Sequence, residues 1–98
     1  MSNPLDIIKE ADAQLFARIN DAKELAFQEG EIAMKNKFLI AMAIDVAKNS
    51  ESGIKSLAAQ ALANGASERE ILETLRIASY ICGVGSMYTA AQALSDIL

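Results

Sequence analysis

Apolar side chains recur every three or four residues along most of this chain. An α-helix turns once in about 3.6 residues, so that spacing gathers them on one face. Leu5, Ile8, Ala11, Leu15, Ile19, Ala22 and Ala26 make the first such stripe. Asn3 can cap its start, and Pro4 suits the first helical position, where no amide donor is needed. The stripe predicts a helix to about Glu29, either continuous or broken near Asn20-Asp21, with Gly30 suited to its end. The segment 35–48 is different. Phe38, Leu39, Ile40, Ala41, Met42, Ala43, Ile44, Val46 and Ala47 are apolar nearly all round, the pattern of a central, buried helix.

A further helix is expected from Ser50 or Glu51. It carries Ile54, Leu57, Ala58, Ala61 and Leu62 on one face and ends at Asn64-Gly65. Ser67, followed by Glu70, reads as a capping box, in which each side chain takes up an unpaired amide of the first turn. Ile71, Leu72, Leu75, Ala78 and Cys82 then share a side. "GVGS", residues 83–86, reads as a break, and Met87, Ala90, Ala91, Leu94 and Leu98 stripe a last helix. No strand, repeat, linker or low-complexity tract is visible. The pattern predicts one all-α domain of five or six helices over residues 1–98, with 1–29 as an N-terminal helical arm.

Composition sharpens this. Hydrophobic residues make up 52% of a 98-residue chain, much of it alanine, and there is no tryptophan. Small side chains let helices approach closely. So much apolar content in a short chain also points to burial between subunits. The net charge of −4 argues against nucleic acid and anionic membranes as partners, since both favour basic surfaces. Cys82 is the single cysteine, so no disulfide can form within the chain, and a reduced cytoplasmic setting is expected. "MSNPLDIIKE" lacks the basic start and apolar run of a signal peptide. The run Phe38 to Ile44 is too short to span a bilayer.

The order "KNKFLIAMAIDVAKN", then "AQALANGASEREILETLRIASYICG", resembles the carboxymuconolactone decarboxylase family, which includes the alkylhydroperoxidase-D-like proteins. The likeness covers roughly residues 30–94 well and the N-terminal helix loosely. It implies an alkylhydroperoxidase-D-like helical bundle whose subunits assemble as trimers or hexamers. Redox members of the family open the short helix with Cys-x-x-Cys. A histidine follows four residues after the second cysteine, and a glutamate lies twelve before the first. A thiolate at a helix start has a lowered pKa and attacks peroxide or disulfide, while Glu and His move protons. Here the cysteine positions hold Ser50 and Gly53, the histidine position Leu57 and the glutamate position Phe38. The decarboxylase branch lacks the cysteines but keeps the histidine, and this chain has no histidine at all. The resemblance implies a peroxidase-like or decarboxylase activity, whereas the residues lack the relay.

Ser50 is expected as a helix N-cap, because as a nucleophile it would need a base that no histidine supplies. Gly53 is expected to make room for a neighbouring helix. Phe38 and Leu57 are expected to fill with hydrocarbon the space of the polar relay. Cys82 reads as a buried structural thiol, or as a single peroxidatic or ligand-contacting thiol beside Tyr80. A possible pocket would gather Phe38, Ser50, Gly53, Leu57, Tyr80 and Cys82. The four methionines, Met1, Met34, Met42 and Met87, read as core, with Met42 and Met87 alternatively lining an apolar pocket or subunit contact. Glu51, Glu68, Glu70 and Glu73 read as a solvated face paired with Lys55, Arg69 and Arg76, and no metal is expected. Ala61, Gly65, Ser67 and Ile71 have the spacing of a DNA-reading helix–turn–helix, but "EREILETLRI" is too acidic to meet phosphates. The expected function is thus a degenerate family member without cofactor, serving as a homo-oligomeric scaffold or binding a small apolar ligand. The alternatives are a peroxiredoxin-like or decarboxylase-like enzyme with a non-standard site, in which Glu51 or Asp45 could be a recruited base, and, more remotely, a helix–turn–helix DNA binder.

Overall fold

The structure, a computed structural model, describes residues 3–98. Among them it is all-helical: α1 (Asp6–Ala11), α2 (Ala13–Phe27), α3 (Met34–Ala47), α4 (Glu51–Ala63), α5 (Glu68–Cys82) and α6 (Gly85–Ala93). The chain divides into two compact units, one ending at Gly30 and the other spanning Glu31–Leu98.

In the first unit the apolar stripe is interrupted at Asp12, not near Asn20-Asp21 as expected. Asp12 leaves helical geometry (φ −150°, ψ 87°), and its carboxylate accepts from the Leu15 amide at 3.0 Å. An acidic side chain here satisfies an orphan donor and meets the positive end of the helix dipole, so the chain starts a second helix. Asn20 and Asp21 instead lie inside α2, where Asn20 Nδ2 donates to Glu24 Oε1 at 3.2 Å. Asn3 accepts from the Leu5 amide at 2.9 Å, shaping a turn just before α1. Neither α1 nor α2 contains a buried residue.

The second unit holds the hydrophobic core. Leu39, Met42 and Val46 of α3 meet Ile54, Ala58 and Ala61 of α4, with Ile71 and Ala78 of α5 and Ala90, Ala93 and Leu94 from the C-terminal end. Met42, Val46, Ile54, Ile71 and Leu94 are fully buried. The alanines leave room for the larger side chains between closely spaced helices. Contrary to its all-round apolar sequence, α3 is covered on one side only: Ile40 and Ile44 are exposed, because no other helix of the unit lies over them. Leu72, Ala91 and Leu98 are likewise exposed rather than core.

The helix ends follow local chemistry. Gly65 takes a left-handed backbone (φ 96°) and closes α4 while the Ala66 amide reaches back to the Ala61 carbonyl at 2.9 Å. Ser67 and Glu70 form the full capping box of α5. Glu70 Oε2 also meets Lys35 Nζ at 3.0 Å, tying the starts of α3 and α5 together. The break before α6 is shorter than "GVGS": Gly83 turns the chain (φ 86°) and Gly85 is already helical. Among the described residues, no helix is long and apolar enough to cross a membrane.

The Ser67 amide, and then Lys35, hold the Glu70 carboxyl below its ordinary value of 4.5. Its ionised form is therefore favoured by folding, and the stabilisation is present above pH 4.5 and lost as pH falls through the lowered folded value. Glu70→Gln keeps a capping side chain but loses the charge. It should lower Tm modestly at neutral pH, with the gap from the parent closing on acidification and shrinking in high salt. Thermal unfolding across a pH series checks this; a gap independent of pH would contradict it.

Candidate functional site

The turn between α3 and α4 carries the positions that matter. Asn49 adopts a left-handed backbone (φ 53°), which asparagine tolerates better than most residues. Its Oδ1 accepts from Thr89 Oγ1 of α6 at 3.1 Å. The Ser50 amide donates to the Asp45 carbonyl at 3.0 Å. The reversal lays the last turn of α3 against the first turn of α4.

At the centre of this contact is Asp45. A Cβ added at Gly53 would overlap the Asp45 carboxylate, with Asp45 Cγ at 2.9 Å and Ser50 Oγ at 3.2 Å. The space that any larger side chain would use at position 53 is thus filled by a carboxylate from α3. A carboxylate beside the first turn of a helix is favourable, by about 0.3–1 kcal/mol at an exposed site. Ser50 does occupy the N-cap position of α4, but its hydroxyl makes no capping hydrogen bond, unlike Ser67 at α5. The expected capping role of the Ser50 side chain is corrected on this point.

Phe38 and Leu57 are half-buried and pack against the core cluster of the second unit. Phe38 lies in the first half of α3, remote from the α3–α4 turn, and Leu57 lies midway along α4. Tyr80 is 88% exposed, and Cys82 is half-buried at the last position of α5 rather than fully enclosed. A helix terminus leaves its last side chain fewer neighbours than mid-helix Ala78, which is buried.

A groove of about 420 Å³ lies between α3 and α5, walled by Leu39, Ile40, Ala43, Ile44 and Ile77, with Asn36 and Thr74 as its polar members. None of the six residues expected to form a pocket lines it. Met42 is core, Met34 is half-buried, and Met87 is half-buried beside a second hollow formed with Leu72, Leu75, Arg76 and Ser79. Met1 lies outside the described residues. The acidic residues of α5 pair locally, Glu70 with Lys35 and Glu73 with Arg69 at 3.8 Å, while Lys55 reaches Asp96 at 3.2 Å rather than Glu51. Among the described residues, no three His, Cys, Asp or Glu side chains converge as metal ligands.

The turn therefore offers a carboxylate and a hydroxyl, with no thiol and no imidazole beside them. Asp45 is the carboxylate that lies against Gly53. Its placement over Gly53 could have been suspected from the sequence: a glycine in the first turn of a helix marks a close approach, and Asp45 lies in the last turn of the preceding helix. The Asn49–Thr89 link had no such signal, because it joins the turn to a helix forty residues away.

The sequence profile of the carboxymuconolactone decarboxylase family matches residues 13–96. A carboxymuconolactone decarboxylase family protein from Legionella pneumophila, solved by crystallography in its apo form, is similar in fold with a TM-score of 0.86. It shares 32% identity over 93% of this chain and 81% of its own. No curated protein matches significantly.

The Asp45–Gly53 contact makes a coupled prediction. Replacing a helical glycine by alanine is worth up to about 1 kcal/mol, less near a helix end. In the parent, that gain is offset by displacement of the Asp45 carboxylate. Gly53→Ala should thus be more favourable, by about 0.5–1 kcal/mol, in an Asp45→Ala background than alone. Urea unfolding of the four chains checks it; equal effects in both backgrounds would contradict the contact.

Proposed function

The chain belongs to the carboxymuconolactone decarboxylase family, and we propose that within it this member is a homo-oligomeric scaffold that has left the dithiol redox cycle. One observation supports this reading above the others. Where redox relatives carry the second cysteine, the chain has Gly53, and the Asp45 carboxylate occupies the space a side chain would need. Ser50 and Leu57 complete the exchange at the first cysteine and histidine positions, and Phe38 stands at the glutamate position. Polar groups buried without partners cost about 1–3 kcal/mol each, so loss of the relay favours hydrocarbon at Phe38 and Leu57. The family likeness suggests a trimer or hexamer, and the lone thiol suits a reducing cytoplasm.

A second reading, binding of a small apolar molecule, is favoured by the hydrocarbon-walled groove between α3 and α5. Its volume of about 420 Å³ falls in the range of small-molecule sites. The groove is separate from the family's catalytic positions, so this reading needs no surviving chemistry. Peroxiredoxin-like turnover would have to run on Cys82 alone, and decarboxylation would need Asp45 or Glu51 as base.

Incubation with a carboxymuconolactone, followed by product analysis, tests the loss of chemistry. No turnover above the buffer rate is expected. Turnover abolished by Asp45→Asn or Glu51→Gln would overturn the scaffold reading and identify a recruited base. Native mass spectrometry of the same preparation reads the assembly and any retained small molecule together; a monomer without ligand would contradict both readings.

A further inference from the structure

The chain is acidic overall, yet from Ile77 to Ser95 it carries no Asp, Glu, Lys or Arg. This charge-free segment covers the second half of α5, the Gly83 turn and all of α6. It is not simply core. Ile77, Tyr80, Ile81, Val84 and Tyr88 are all exposed, the two tyrosines by 88% and 76%. Along α5 the positions 77, 80 and 81 are spaced by three and four residues, so they share one face, and Val84 follows just past the Gly83 turn. Val84 and Tyr88 line a common hollow that continues the strip onto α6. These two are the only tyrosines in the sequence, and both lie on this strip.

We propose that this strip is a self-association surface, on which a second copy of the chain seats the same strip. The inference rests on the oligomeric reading above and names a two-fold contact for it, one that pairs two chains or joins two trimers into a hexamer. Three features select a second copy as the occupant. The first is charge: two chains of net charge −4 repel each other, and a face without ionisable side chains is where they can meet without placing like charges together. A basic partner would instead gain nothing from this face. The second is area. The uncovered hydrocarbon of the five side chains amounts to about 500 Å². A stable interface takes about 800 Å² from each partner, as an apolar centre within a polar rim, so the strip is the right size for the centre. The third is composition. Tyrosine is enriched among the residues that dominate binding energy, and here two rigid rings flank branched aliphatics. At the α5 end the strip runs into the Arg69–Glu73 pair, which forms the polar rim there.

Sedimentation velocity on the full chain tests the surface. The parent should be oligomeric, and raising salt from low to high should leave its dissociation constant within about threefold, because no ion pair is broken. Ile81→Glu should weaken assembly by about 30-fold or more, and Tyr88→Ala by about tenfold, each with unchanged helical circular dichroism. Leu25→Glu, an exposed apolar position on α2, should leave assembly unchanged. A parent oligomer unaffected by Ile81→Glu and Tyr88→Ala would overturn the surface while leaving the oligomeric reading intact. A parent that stays monomeric at its highest soluble concentration would overturn both. A monomer that instead binds phosphatidylcholine vesicles through Ile81 and Tyr88 would overturn self-association in favour of a lipid surface.

Discussion

The close approach of α3 and α4 is the constraint from which the rest of the second unit follows. The two helices reverse direction across Lys48, Asn49 and Ser50, and alanines at 58 and 61 leave room for the fully buried Met42, Val46 and Ile54. Once the helices are that near, the end of α3 must lie on the start of α4. Asp45 then has to find space beside the first helical turn, and Gly53 provides it. A bulkier residue at 53 or a looser hairpin would give a different site. The geometry of the turn is thus a consequence of core packing, not an independent feature.

The same constraint bears on the proposed loss of the relay. In a reactive arrangement, a thiol at the helix start needs nearby proton carriers and a path to substrate. With Asp45 over Gly53, the helix start is already supplied with a negative charge, which would disfavour formation of a thiolate beside it. Leu57 and Phe38 pack on the core of the second unit, where hydrocarbon is the favourable choice. What remains reactive in principle is Cys82, at the far end of α5 and on a different helix from α4, where the family's chemistry would sit.

Much of the helical plan was legible because it rests on local rules. The Ser67–Glu70 capping box, the α4 end at Gly65 and the buried positions Ile54, Ala58, Ala61, Ile71, Ala78 and Leu94 follow from spacing and caps. Asp12 misled because an acidic residue within an apolar period reads as the polar face of one helix, while its carboxylate was in fact free to begin another. Ile40 and Ile44 misled for a different reason. Periodicity shows that a helix is apolar all round, but not whether its partner is the same chain or another copy. At the candidate site the sequence supplied the residue types at Phe38, Ser50, Gly53 and Leu57, but not their surroundings. Asp45's position over Gly53 required the fold, since it depends on how two helices register across a turn.

The central claim is that this family member no longer performs thiol-based peroxide chemistry. Dithiol-dependent consumption of a hydroperoxide, followed for the purified chain and for Cys82→Ser, tests it most directly. Both chains are predicted to match the protein-free control. Turnover by the parent would contradict the claim, and turnover that persists without the sole sulfur nucleophile would show that chemistry has been rebuilt on other groups.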